Sequence, residues 1–545
     1  MKRAAVFVLV VSLLLCSPLL AQDSTTSSRT VVGRIVVGHT MVVIPFENAS
    51  PTPGLEWLGE SFPVAFHEQL NSPVLYVASR DERLRAYDRQ GIPAGVHAAR
   101  ATLYRLAEQM DVDYAVLGSY RYDGERLTAI AQLLDMRAQK LSPAATESGP
   151  LADVGRLQSA LAWDLLRLIH TDFSVPKDKY IASVASVRLD ALENYIRGML
   201  ATTAEEKVQH YREAVRLNPD YAHAWLELGK TYYLQRAYEL AIAALGQVQH
   251  SSLVSGAVAR EANFYLGLAA YSHGDFAKSE SAFQFVAARL PLAEVYNNLG
   301  VVAARRGQKK AVDYFERAIQ NDPSDPDYHF NLGVTLAQTG DRAGAARELH
   351  TALDRRPNDA EAKVLLDSLT PLSIVPGSAT SKAPLERIKR NYEEDAFRQM
   401  TMQMGSWAEQ QFVRSDPRAH ARFHLELGKE LLAHGFTTEA EAEFQHAAAV
   451  DPSSTAPLTA LAEDYDARGD ALEARAQAEA ALRIRESAEA YLILARLDLR
   501  ENRIEAAAQN INRALQLEPG NPAGQDLKRT LAAKLAEKAQ PLSQP

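Results

Sequence analysis

Ala224-Trp225-Leu226-Glu227-Leu228-Gly229-Lys230-Thr231-Tyr232 decides the fold, because the pattern returns. A large residue, then Leu-Gly, then an aromatic recurs at a period of roughly 34 residues between about residues 190 and 519. The Leu-Gly or Leu-Ala pair falls at Leu228-Gly229, Leu266-Gly267, Leu299-Gly300, Leu332-Gly333, Leu427-Gly428, Leu461-Ala462 and Leu494-Ala495. A turn signal follows each of the later copies at Gly274, Gly307, Gly340, Gly435, Gly469 and Asn502. A second helix then places small and apolar residues four and three apart, as in Ala345-Leu349-Ala352, Ala440-Phe444-Ala447 and Ala507-Ile511-Ala514. Those spacings share one helical face. Pro219, Pro291, Pro323, Pro357, Pro452 and Pro519 close the units, since proline cannot continue a helix interior. The first unit, 190–219, is shortened but keeps Tyr195, Gly198, Tyr211 and Ala214.

This spacing resembles the tetratricopeptide repeat. The resemblance implies a solenoid of stacked helix pairs with a long concave surface, a binding scaffold rather than a catalytic pocket. By analogy with that family the groove is lined by positions 2, 5, 9 and 12 of each first helix. These are His223, Leu226, Lys230 and Tyr233 in one copy and Glu261, Phe264, Leu268 and Tyr271 in the next. Asn297 and Phe330 hold the fifth position in the following copies, and Arg422 and Lys429 are the equivalents further on. The aromatic and polar mixture suits an extended peptide or a helix. The Lys/Asn clamp with which some family members hold a C-terminal carboxylate is not reproduced.

The repeats fall into two blocks, 190–370 and 418–538, the second ending in a polar capping helix. Pro376-Gly377-Ser378 marks residues 371–384 as a linker. Residues 385–414 are expected to form one or two joint helices, with Ile388, Tyr392, Phe397, Trp407 and Phe412 as apolar surface. They act either as a spacer or as a hinge between blocks.

Residues 30–173 do not follow the repeat. Strands are expected at 31–37, 41–45, 74–77, 114–120 and 127–134, with an Asp123-Gly124 hairpin turn. Helices are expected after Ser61 and over 99–110 and 153–169. Val43-Ile44-Pro45-Phe46-Glu47-Asn48-Ala49-Ser50 with Leu55-Glu56-Trp57-Leu58-Gly59 resembles the opening of TolB amino-terminal-like domains. Asp113-Tyr114-Ala115-Val116-Leu117-Gly118-Ser119-Tyr120 and Ala131-Gln132-Leu133-Leu134-Asp135 are similar to that domain's second half. The resemblance implies a small mixed sheet with helices on one side and no catalytic residues. The fold class expected for the whole chain is therefore α+β, mostly α: a small mixed-sheet α/β domain followed by a helical solenoid in two blocks.

The net charge of −9, without a basic run, speaks against nucleic-acid binding. Residues 1–21 read as a signal peptide: Lys2-Arg3, an apolar stretch and a cut after Ala21. An uncleaved anchor is the rival reading, and acylation of Cys16, the only cysteine, is another. After cleavage no integral membrane span is expected, and no disulfide can form. Asn48-Ala49-Ser50 matches a glycosylation sequon, which matters only in a eukaryotic secretory pathway. Phe46-Glu47-Asn48 resembles a site carboxylate, but a strand end with Asn48 and Ser50 making local turn hydrogen bonds is the simpler account.

No dinucleotide, phosphate-loop, nucleophile-elbow or zinc-protease motif occurs, so no enzyme is expected. Met400, Met402 and Met404 invite a Cu(I) reading, but flexible core packing accounts for them more simply. His420 and His424 share a helical face with no third ligand nearby in sequence. No cofactor and no metal are expected. The sequence thus points to a non-enzymatic exported scaffold, periplasmic or otherwise outside the cytoplasm, that binds a protein partner of the cell envelope. The alternative is a ligand-sensing module in which the amino-terminal domain binds a small molecule and the repeats relay its state.

Overall fold

Strand β1 (His39–Val43) carries apolar side chains on both faces, and that one fact organises the amino-terminal domain. A strand buried on both sides needs cover on both. The computed structural model describes residues 39–539 except 51–52, 73–74, 94–98, 171–172, 185–186, 252–254, 291, 370–385, 399–415 and 434–436. The expected signal peptide, Cys16, the strand at 31–37, the linker, Gly435 and Met400, Met402 and Met404 lie outside the described residues.

β1 pairs in parallel with β3 (Leu75–Val77) and β4 (Tyr114–Tyr122). β4 turns at Asp123-Gly124 into antiparallel β5 (Arg126–Asp135), with Tyr122 opposite Leu127. Asp123 Oδ1 accepts the amides of Glu125 and Arg126 at 3.0 and 2.8 Å, closing the turn. β2 (Glu47–Asn48) adds to β4, and β6 (Lys140–Leu141) and β7 (Ala145–Pro150) add to β5.

Helices cover both faces of this sheet, not one. α1 (Trp57–Leu70) and α4 (Val154–Ile169) bury Met41, Val43, Val116 and Leu133 on one side. α2 (Arg80–Arg89) and α3 (Arg100–Gln109) bury Val42, Ile44, Tyr76 and Ala115 on the other. The second layer follows from the parity of β1, in which Met41 and Val43 join one core and Val42 the other. α2 starts from a capping box between Ser79 and Glu82. Phe46 stacks on Phe62 at 4.1 Å and lies where Gly118 has no side chain, so the Gly-Ser of β4 is a packing requirement. Asn48 accepts the Ser50 amide at 2.8 Å, the local turn bond expected there.

Short α5 (Lys177–Ser183) leads into block 1. Its helix pairs are α6 (Leu189–Leu200) with α7 (Ala204–Leu217), α8 (Ala222–Leu234) with α9 (Tyr238–Val248), α10 (Gly256–His273) with α11 (Phe276–Ala287), α12 (Ala293–Arg305) with α13 (Ala311–Asn321), and α14 (Pro326–Thr339) with α15 (Arg342–Arg355). A single helix, α16 (Ala360–Ser368), follows. Block 2 pairs α17 (Pro417–Ala433) with α18 (Thr437–Val450), α19 (Ala456–Arg468) with α20 (Ala471–Ile484), and α21 (Ala488–Arg500) with α22 (Ile504–Leu517), then α23 (Pro522–Ala539).

The Leu-Gly signature has a steric cause. A Cβ on Gly198, Gly229, Gly267, Gly300, Gly333 or Gly428 would lie 2.5–2.9 Å from Tyr211, Leu245, Phe283, Phe315, Leu349 or Phe444 of the paired helix. Where the glycine becomes Ala462, the facing residue is the small Ala478, and both are fully buried. The turn residues Gly274 and Asn502 take φ of 93° and 59°, the left-handed conformation that ends a helix at these two residue types.

The amino-terminal domain and block 1 belong to one compact unit and block 2 to another. Within the first, one hydrophobic core runs from Met41 and Phe66 through Leu165 to Tyr195, Ile196 and Tyr211. His223 extends this junction, with its Nε2 3.3 Å from Glu68 of α1.

Of the joint helices expected over 385–414, residues 386–393 form no helix and residues 394–398 are helical, while 399–414, with Trp407 and Phe412, lie outside the described residues. The backbone polar groups of residues 386–393 find partners inside block 1.

Candidate peptide-binding groove

The first helices of block 1 set carboxamides along their concave side. Asn298 and Asn331 each precede a Leu-Gly pair, one on α12 and one on α14. The glycine side of the helix faces its own partner helix, so the preceding residue is turned toward the groove. Residues 386–398 lie along that groove.

Asn331 Oδ1 accepts the amide of Arg387 at 2.6 Å while its Nδ2 donates to the Arg387 carbonyl at 2.8 Å. Asn298 repeats the arrangement two residues on, accepting the Lys389 amide at 2.7 Å and donating to its carbonyl at 2.8 Å. In an extended chain, residues two apart present the same edge, so two carboxamides one repeat apart read one strand edge. Asn297 donates to the Arg387 carbonyl at 2.9 Å and accepts from Asn331 at 2.7 Å, which fixes the orientation of both amides. Glu294 accepts the amide of Glu393 at 3.0 Å.

Side chains add charge and ring contacts. Arg387 lies 3.6 Å from the ring centroid of Phe330 and reaches Asp359 at 2.6 Å, Asp327 at 3.0 Å and Glu361 at 3.0 Å. Lys389 bonds Asp325 and Asp327, both at 2.7 Å, beside the ring of Tyr328. Ile388 packs against the apolar cluster built on Val301, Ala303, Ala311, Phe315 and Leu332. Tyr392 packs on Phe264 at 5.1 Å, and its hydroxyl donates to Glu394 at 2.5 Å. Arg260 pairs with the buried Glu394, and Arg305 with Glu386 at 3.1 Å.

The local electrostatics follow from burial set against these partners. Burial opposes ionisation of Asp327, but hydrogen bonds from Arg356, Lys389 and Arg387 outweigh it and hold the carboxyl well below its usual range. Burial likewise opposes ionisation of Glu394, and Arg260 reverses the effect. Glu294 lacks such a cation, and burial pushes it up to about 7. Burial also pushes Asp395 up to about 6, with Glu261 and Glu82 adding to the rise and His67 opposing it.

Of the groove residues expected from the sequence, Asn297 and Phe330 hold residues 386–398 directly, Phe264 packs on Tyr392, and Tyr271 packs against the same apolar cluster as Ile388. Tyr233 feels the charge of Arg390. Lys230 and Glu261 form a half-buried pair at 2.9 Å, with Glu227 as a second acid. Leu226 and Leu268 are core residues, nearly fully buried. His223 serves the junction with α1 and not the groove. Arg422 and Lys429 stand exposed on α17 in the other unit, Lys429 paired with Glu426 at 2.9 Å. The residues missed are Asn298, Asn331, Asp327, Asp359 and Arg260. For Asn298 and Asn331 the repeated Asn-Leu-Gly at 298–300 and 331–333 is the visible signal; Asp327, Asp359 and Arg260 carry none of that kind.

The histidine pair acquires a third member. His420 and His424 of α17 meet His446 of α18, with ligand nitrogens all within 4.8 Å, a set able to hold a metal ion. The rings of His424 and His446 stack at 4.0 Å with 17° between planes, which is packing geometry. His424 Nδ1 lies 2.5 Å from Glu443, as its counterpart His329 lies 2.7 Å from Glu348 in block 1. The His–Glu pair is thus a feature of the repeat, used twice.

Two family models described as tetratricopeptide repeat match residues 264–326, 459–522 and 309–369, and a third, described as TPR repeat, matches 205–235. The helical arrays are tetratricopeptide repeats. Repeats of this kind are typically non-catalytic protein-interaction modules. Among curated proteins none matches the chain. Similar solved structures include YrrB, titled a TPR protein with an unusual peptide-binding site, at 20% identity over 33% of this chain and 91% of that one, with a TM-score of 0.29. MamA from Desulfovibrio magneticus RS-1 matches at 18% identity over 32% and 100%, TM-score 0.30. A tetratricopeptide repeat protein from Parabacteroides merdae matches at 12% over 57% and 98%, TM-score 0.25. No helix among the described residues is long and apolar enough to cross a membrane.

Proposed function

We propose that this chain is a non-catalytic protein-interaction scaffold of the cell envelope, and that its block 1 groove takes an extended segment of a protein partner. One observation carries the reading: Asn298 and Asn331 each make a two-point clamp on the backbone of an extended strand. Backbone capture of this kind supplies affinity, while flanking pockets supply selectivity. The acids at Asp327 and Asp359 and the cation at Arg260 provide such selectivity. Export rests on residues 1–21 alone, and docking of a second component rests on the TolB-like resemblance of residues 40–135.

A photo-crosslinking residue in place of Tyr271, in the full chain within its native cells, tests the groove. A partner adduct that disappears in N298A/N331A is expected. An adduct indifferent to that double substitution would count against the reading. Recovery of the chain from the cytoplasm with residues 1–21 intact would remove the envelope from it.

A further inference from the structure

Residues 386–398 occupy the site to which a partner is assigned, and their composition argues against a merely structural tail. Between 386 and 393 only Ile388 and Tyr392 bring large apolar surface; the rest is Glu386, Arg387, Lys389, Arg390, Asn391 and Glu393. A segment retained for core stability would bury apolar area, the dominant favourable contribution in folding. This one is held by backbone clamps and exchangeable ion pairs.

We propose that residues 386–398 are an intramolecular ligand closing the block 1 groove, displaced when a protein partner presents an extended segment of the same chemistry. That chemistry is a cation, an apolar residue and a cation in succession, followed by an aromatic and a carboxylate. The proposal rests on the groove reading above and deepens it.

Three observations support exchange. First, the clamps on Arg387 and Lys389 contact main-chain atoms, which any extended chain offers. Second, the charge order of the groove fixes direction and register: Asp327 and Asp359 at the cation end, Arg260 at the acid end. Third, a cleft of about 440 Å³ remains beside the segment, lined by Glu294, Asp322, Asp325, Tyr328 and residues 388–391 and 393. Its groove wall is acidic, so a partner with a longer basic side chain gains a contact that the chain's own segment leaves open. Seating also carries an internal cost near neutral pH. Glu294 shares this cleft with Asp322, Asp325, Glu393 and Tyr328 and with Lys389 and Arg390. It forms no ion pair with either cation among the described residues, and burial favours its neutral form.

Occupancy lowers the apparent affinity for a competitor by the fraction of open groove. The test uses the full chain and a labelled synthetic peptide of residues 386–398, followed by fluorescence polarisation. R387A/K389A in the chain, which loosens its own segment, should bind the peptide at least about tenfold more tightly than wild type. Adding N298A/N331A to that variant should abolish the gain. A peptide with glutamate at both cation positions should not bind.

Hydrogen exchange on the wild type needs no variant. The Arg387 and Lys389 amides should be protected and should exchange faster as peptide is added. Equal peptide affinity in wild type and R387A/K389A would overturn self-occlusion while leaving the groove reading standing. Failure of every chain to bind peptide, with the two amides still protected, would overturn both. A wild-type dimer that R387A/K389A converts to monomer would assign the groove to a second copy and overturn the intramolecular form.

Discussion

Blocks 1 and 2 share a repeat and differ in one column of it. The residue before each Leu-Gly or Leu-Ala pair is Glu227, Tyr265, Asn298 and Asn331 in block 1, and Glu426, Ala460 and Ile493 in block 2, so the asparagines belong to two neighbouring repeats of block 1. A carboxamide both donates and accepts, so it can match a peptide unit; a carboxylate, a methyl or a sec-butyl group cannot. Block 2 uses its polar groups within and between repeats instead. Asp498, nearly fully buried, accepts from Arg475 at 2.8 Å, Arg503 at 3.0 Å and Asn510 at 2.8 Å. Asp466 bonds Arg496 at 3.0 Å and also pairs with Arg500. The lesson is that the solenoid is indifferent to this column while the use of the groove depends on it.

The largest expected effect breaks block 1's side of the comparison. N298A/N331A removes four hydrogen bonds to residues 386–398, at about 1 kcal/mol each. Protection of the Arg387 and Lys389 amides should fall by a factor of several hundred, with the circular dichroism of the helices retained. Unchanged protection would show that side-chain contacts alone hold the segment.

Next comes the packing column. G300A sets a Cβ 2.5 Å from the Phe315 ring and should cost about 1–3 kcal/mol, read as an earlier denaturation midpoint. A462G in block 2 should cost only about 0.5–1 kcal/mol, the backbone entropy of glycine in a helix. Equal losses would mean that the glycine is not there for the ring.

Third, D498A should destabilise block 2 by about 1.5–3 kcal/mol through lost charge-assisted bonds, without altering exchange at Arg387. A change at Arg387 would show that the blocks are coupled.

The smallest effect is on pH dependence. Glu294 and Asp395 are raised to about 7 and about 6, so the seated state binds more protons than the open one. Seating is therefore favoured at pH 5 and weakens as pH rises through those values to 8. Asp327, Asp359 and Glu394 are lowered, and their contribution is lost only below the ordinary carboxylate range, outside this window. Segment amides should exchange a few-fold faster at pH 8 than at pH 5 after correction for intrinsic rates. E294Q should flatten the profile.

The repeat was legible because its signals are local: Leu-Gly, turn residue and proline all act within one unit. The strands at 75–77, 114–122 and 126–135 were legible for the same reason, through alternation and Asp123-Gly124. The groove segment was misread as helix because Ile388 and Tyr392 stand four apart, a spacing that places residues on one face of a helix and equally on one side of a strand. Only partners far away in sequence decide between the two. Asn298 lies 91 residues from Lys389, and Arg260 lies 134 from Glu394. β7, with the sequence Ala-Thr-Glu-Ser-Gly-Pro, was missed because it has almost no apolar signal and is a strand by virtue of its register on β5. The second helical layer on the sheet was missed because α2 is strongly polar in sequence, with only Arg83, Ala86 and Tyr87 buried.

The core that runs unbroken from Phe66 to Tyr211 has a consequence for how the array begins. A solenoid ends in exposed apolar faces unless something closes it, and terminal repeats ordinarily do so with a polar outer side. Here α6 keeps Asp190, Glu193 and Arg197 on a polar side, while Ala191, Leu192, Tyr195 and Ile196 join one core with the α/β domain and the following helices. That domain is the solenoid's lid at this end. A fragment starting at Leu189 would expose the apolar residues that share this core with α1 and α4, and it is expected to self-associate more than the full chain, a difference that sedimentation would read.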